Sequence, residues 1–153
     1  MTVTPESVRA TRSSLSTHVF SHLYFQLPGD VSFPEDYWDD FSAIVLSWWL
    51  NDATMLLAGS SSTFHFMDGP YIVEAKPCGV RSQMSFIDNR VSPNTVIHRC
   101  EMETRELCRT FIAAANVLIR HLPDDTHDWK DVRELSANMA SLQRHMKRSQ
   151  TTP

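Results

Sequence analysis

At 153 residues, 42% apolar and 21% charged, the chain suits one domain with one sizeable core and leaves little room for a second. No stretch approaches the ~18 consecutive apolar residues that a membrane span needs, and the opening MTVTPESVRATRSS carries Glu6 with no apolar core, so it does not read as a secretory signal. The formal charge of −4 hides an asymmetry: Ser13 to Ala75 holds eight acids and no lysine or arginine, and all fourteen bases lie outside it with the other ten acids.

That acidic half would repel phosphates and attract a basic protein partner. The alternative is that the acids only keep an aromatic-rich half soluble. Residues 1–17 are polar and rich in Ser and Thr. Thr4-Pro5-Glu6 could open a short helix, and the segment as a whole reads as a loose arm or a surface helix. Val19 to Leu27 is short, aromatic and bounded by Pro28-Gly29, the pattern of a first strand. His18 and His22 sit four apart, which would suit a metal on a helix; on a strand they share a face but lie far apart.

Asp30 to Asp40 reads as a loop in which acids stand beside Phe33, Tyr37 and Trp38, the composition of a recognition surface. The alternative turns the aromatics inward and leaves the acids to solvate the loop. Phe41 to Leu50 fits two templates. Phe41, Ile44, Val45 and Trp48 make a helical stripe that Asp39 or Asp40 could cap, while adjacent tryptophans and a β-branched pair favour a buried strand slightly. A short helix over Asn51 to Ala58 follows before GSSST.

Thr63 to Pro77 is the clearest hairpin, with FHFM and YIVEA flanking Asp68-Gly69 and Pro70 at a strand start. Further strands are expected over Val80 to Asp88 and Thr95 to Glu101, with a loop over 89–94. Leu107, Phe111, Ala114, Ala115, Leu118 and Leu122 define a helix from Glu103 to Leu122, which Pro123 ends. Trp129, Val132, Leu135, Met139, Leu142 and Met146 define another, roughly Asp128 to Lys147, after which Gln150 to Pro153 should fray.

No phosphate-binding, dinucleotide, zinc-protease or nucleophile-elbow motif is present, and the four glycines are widely separated. Cys78, Cys100 and Cys108 form no C-x-x-C and no disulfide framework, which fits a reducing cytosol. Asp124, Asp125, His127 and Asp128 could serve a hard metal or acid–base chemistry, but acids before a helix are ordinarily its caps. Asp68 beside Tyr71 and His65 could be a general base or simply a turn residue. Cys108, Met139 and Met146 read as packing groups.

Trp38-Asp39-Asp40-Phe41 (W-x-D-F), Leu46-Ser47-Trp48-Trp49 (L-x-W-W) and Phe66 to Tyr71 (F-M-D-G-P-Y) resemble small bacterial immunity proteins, the partners of polymorphic or secretion-delivered toxins. The resemblance spans about Phe33 to Asp88. It implies a cytosolic protein that binds a toxin domain and occludes its active site, and it transfers no catalytic residue.

The expectation is thus a flexible arm over residues 1–17, then one α+β domain over 18–149. Its antiparallel sheet of about four or five strands packs against two C-terminal helices. The expected function is a non-enzymatic, cytoplasmic toxin inhibitor with no cofactor, metal, nucleic acid or membrane partner. Glu35, Asp36, Tyr37, Trp38, Asp39, Asp40, Asp68 and Tyr71 would face a basic cleft on the toxin. A non-catalytic adaptor or self-associating structural protein is the alternative, and a small Asp/His-dependent enzyme is the third.

Overall fold

The architecture is built around β3, Thr17–Leu27, whose odd-numbered residues from Val19 to Leu27 are all buried, while the even-numbered ones other than Tyr24 are half-buried or exposed. The computed structural model describes residues 1–90 and 93–148. Four short strands pair antiparallel with β3: β1 (Thr2–Val3), β2 (Arg9–Arg12), β4 (Val31–Phe33) and β5 (Asp39–Asp40). At the middle of β3 a 3₁₀ turn, Pro5–Ser7, serves one edge: His22 N–H donates to Ser7 Oγ at 2.7 Å and Thr4 N–H to His22 O at 3.3 Å. Leu23 N–H instead donates to Trp38 O at 2.7 Å on the other edge, as alternation along a strand requires.

The segment expected as a loose arm or surface helix is therefore sheet. Its residues are polar because β2 is an edge strand that buries none of them. Only the short turn at Pro5, with proline at its start, matches the helical part of that reading.

Phe41 to Leu50 is a helix, not the buried strand that its tryptophans and β-branched pair favoured. It is continuous with the expected short helix over Asn51 to Ala58, giving α1, Ser42–Leu57. The physical reason is its position. α1 packs against β3, against β6 (Ser62–His65), and against α2 (Thr104–Arg120) and α3 (Lys130–Arg148). Its exposed stripe is narrow and carries apolar Trp48 and Met55 beside Asn51, so the apolar residues do not mark the 3.6 period. The helix ends at Gly59 (φ +93°), where Gly59 N–H meets Leu56 O at 3.0 Å and Ser60 N–H meets Met55 O at 3.1 Å. This is a Schellman stop, and glycine supplies the left-handed conformation it needs.

The second sheet is a four-stranded antiparallel meander of β6, β7 (Tyr71–Cys78), β8 (Arg81–Asp88) and β9 (Thr95–Glu103). The hairpin expected across Asp68-Gly69 forms, as do the two strands after it and both C-terminal helices. The α+β class with antiparallel pairing holds, with the strands divided between two sheets and α1 as an additional, central helix. One continuous core joins all of it, with Trp49 at its centre among Phe25, Phe64, Phe66 and Phe111 at ring separations of 4.9–6.3 Å. No helix among the described residues is long and apolar enough to cross a membrane. The fraying expected of Gln150 to Pro153 concerns residues outside the described ones, as does the middle of the 89–94 loop.

Candidate functional site

The loop between β4 and β5 is brought against the β6–β7 turn, so the acids and aromatics of two separate stretches meet. Trp38 stands edge-on to Tyr71 with ring centroids 5.1 Å apart, and Tyr71 in turn meets Phe33 at 5.7 Å. Gly69 lies directly beneath the indole. A Cβ there would sit 3.1 Å from Trp38 Cζ2, from Cη2 and from Tyr71 Cδ2, and the residue has φ +108°. Gly69→Ala is therefore expected to cost about 1–3 kcal/mol and to tilt Trp38 outward. Urea denaturation together with the indole's emission maximum would show both effects.

Asp40 is not on the surface. Its side chain belongs to a residue only 1% exposed, and Oδ1 accepts Phe41 N–H at 2.7 Å and Asp68 N–H at 3.2 Å. Oδ2 accepts Met67 N–H at 3.1 Å and Trp38 Nε1–H at 3.3 Å. Burial pushes this carboxyl above the usual carboxylate range, and the four donors oppose that rise. The expectation that Asp40 presents charge to a partner is thus corrected: it ties the start of α1 to the hairpin turn. Asp39, its neighbour, points the other way and grips the guanidinium of Arg9 through both oxygens, with Arg9 Nη1 to Oδ1 at 2.9 Å. Both groups are about half exposed, so the pair is worth roughly 0.2–1 kcal/mol.

Glu35 and Asp36, next to Tyr37 in the chain, and Asp68 in the β6–β7 turn remain exposed, and Asp36 accepts a hydrogen bond from Ser32 Oγ. Tyr37 is 64% exposed and has φ +59°, a conformation that a bulky side chain rarely adopts. Its ring is propped by His22 at 5.5 Å and Tyr24 at 6.1 Å, both on the outward face of β3. The residues that sequence reasoning missed are those two props and two arginines. Arg9 lies over Phe20 at 5.0 Å and Arg90 over Tyr71 at 5.5 Å. Arg90 also holds Asp88 (Nε to Oδ2 2.8 Å), which keeps that carboxyl below the usual range. Alternation along β3 pointed to His22 and Tyr24; nothing local pointed to the arginines, which enter from outside the acidic stretch.

Comparison with protein-family models, with curated proteins and with solved structures finds no match.

The other candidate residues are dispersed. His18 and His22 lie on one face of β3, four residues apart and each packed against an aromatic ring. Asp124, Asp125, His127 and Asp128 are exposed on a 3₁₀ turn (Asp124–Thr126) and the residues after it. Among the described residues no group of three His, Cys, Asp or Glu side chains is placed to hold a metal ion. Asp68 makes no hydrogen bond to His65 or Tyr71. Cys108 is buried, its thiol directed at Ala53 O at 3.8 Å, and burial pushes its pKa up to about 11, so it is a packing group. Met146 is in the core and Met139 packs against it. A groove of about 410 Å³ does open between α1 and α3, lined by Trp48, Asn51, Asp52, His65, Glu134 and Asn138. Burial raises the Asp52 carboxyl and nearby His65 opposes this; Ser47 also lines the groove, but it is 5% exposed and its hydroxyl accepts Asn138 Nδ2–H at 2.8 Å.

Proposed function

We propose that the protein is a non-enzymatic, cytoplasmic inhibitor of a bacterial toxin domain, binding it through the surface of Glu35, Asp36, Tyr37, Asp68 and Tyr71. One observation carries the reading: an exposed aromatic held at positive φ on a pinned loop, directly after the solvent-exposed carboxylates of Glu35 and Asp36. Conformational strain of about 1–3 kcal/mol at a ring that stays 64% exposed exceeds what its edge contacts with His22 and Tyr24 require. A rigid, pre-placed tyrosine is what a binding hot spot requires, because little entropy is lost when it docks. Trp38 and Asp40 act from behind by fixing the loop, and Asp39 is offset by Arg9. The contact surface is therefore smaller and less acidic than the composition of the first half implies.

The partner would be a toxin domain with a basic cleft, such as one that must attract phosphate; exposed carboxylates and a tyrosine hydroxyl can occupy that cleft instead. The test is co-purification and calorimetry with the C-terminal domain of a secreted protein encoded immediately upstream. Tyr37→Ala is expected to weaken binding about 30-fold or more. Glu35→Lys with Asp36→Lys should weaken it further at low salt than at high salt. Affinity indifferent to all three changes, or no association, would remove this surface from the reading.

A further inference from the structure

We infer that β9 is a self-pairing edge, and that two copies of the chain join their meanders antiparallel across a two-fold axis at Cys100. None of the nine residues of β9 is fully buried, and Val96 and Ile97 are exposed apolar side chains on it. The opposite edge, β6, has four residues and is packed against α1. Long edge strands that carry apolar side chains and lack proline or lysine are templates for another strand.

The register decides the occupant. Cys78 and Arg81 face each other across a two-residue turn with Gly79 at φ +61°, so they form a hydrogen-bonded pair. Alternation then makes Ser82–Met102 and Met84–Cys100 hydrogen-bonded pairs between β8 and β9. Cys100 spends its backbone groups inside the sheet, and those of Arg99 and Glu101 point to the open edge. Centring a two-fold on Cys100 places Arg99 opposite Glu101 of the second copy, and Glu101 opposite its Arg99. These are hydrogen-bonded pairs whose opposite charges share the outer face. The β8–β9 ladder shifts register at Ile97, so the regular pairing is confined to residues 98–102; within it the two Cys100 residues face each other in a non-hydrogen-bonded pair with Cα atoms about 4.5 Å apart. That spacing is within reach of a disulfide.

Glu101 is held in the monomer by exposed contacts only: Arg81 Nε lies 3.6 Å from its carboxylate, Gln83 Nε2 donates to that carboxylate at 3.2 Å, and Arg81 Nη2 donates to its backbone O at 3.2 Å, contacts that the side chain and N–H of Arg99 of a second copy can replace. Arg99 has no ion pair of its own among the described residues. Centring the axis on Arg99 would oppose two guanidinium groups, so charge complementarity selects Cys100.

The experiment uses the full chain carrying Cys78→Ser, with buried Cys108 left in place as an unreactive thiol. Sedimentation velocity over a wide concentration range should show the mass rising from 17.5 kDa toward twice that value. Diamide should trap a disulfide-linked dimer that is lost in Cys100→Ser. Arg99→Glu should reduce both the association and the trapping at least tenfold, and Arg99→Glu with Glu101→Arg should restore them. A monomer at every concentration with no trapped dimer overturns the proposal and leaves the edge to another protein's strand or to none. So does a dimer indifferent to Arg99→Glu, which would lie on another surface.

Discussion

Asp40→Ala is expected to destabilise the fold by about 3–5 kcal/mol. The carboxylate serves four N–H donors from two places in the chain: Trp38 and Phe41 beside it, Met67 and Asp68 across in the turn. Alanine leaves all four without an acceptor in a site closed to bulk water, and each unsatisfied buried donor costs about 1–3 kcal/mol before relaxation. Asp40→Asn is the sharper test because its shape is unchanged. One amide face would meet two N–H donors head-on, so at least half of the alanine loss should persist. Urea denaturation would measure the loss, and hydrogen exchange at Met67 and Asp68 should quicken in both variants. If Asp40→Asn matched the parent within about 0.5 kcal/mol, the native carboxyl would be neutral rather than ionised, and its role in placing Trp38 and Tyr37 would need only one oxygen.

Trp49→Ala should cost about 3–5 kcal/mol, comparable to a large part of the stability of an ordinary domain. The ring is fully buried at the point where β3, α1, the meander and α2 meet, touching Phe25, Phe66 and Phe111. Its Nε1–H donates to His65 O at 2.7 Å, a bond that also locks α1 to the end of β6. Trp49→Phe removes the donor and part of the volume, and an intermediate loss is expected. The adjacent Trp48 is the internal control, since it is exposed and outside the core, and its replacement by alanine should cost less than about 1 kcal/mol. Equal losses at the two positions would mean that α1 is rotated from the orientation described here.

The contrast between these neighbouring tryptophans illustrates how far the sequence can be read. β3, the Asp68-Gly69 hairpin and the two C-terminal helices were legible because each is half-buried. A half-buried strand alternates and a half-buried helix repeats at 3.6, so solvent prints the period on the sequence. α1 puts apolar Trp48 and Met55 on its narrow solvent-facing stripe, so no polar period marks it, and its identity as a helix emerged only from what surrounds it. β2 failed in the opposite way, since an edge strand with no buried residue has no apolar alternation to read, and β1, two residues with only Val3 buried, is too short to show one.

By itself, the sequence determined the α+β class, the turn chemistry at Gly69 and Gly79, and the apolar faces of α2 and α3, because these depend on residues close together in the chain. Only the tertiary structure decided which charges are available. Asp39 and Asp40 are equivalent in composition, but pairing with β3 sets Asp39 opposite outward-facing His22 and Asp40 opposite buried Ser21. One acid therefore meets Arg9 at the surface and the other disappears beneath the loop. Arg9 and Arg90 reach the acidic stretch across turns and strand pairings, and charge summed along a chain carries no information about which segments those pairings bring together.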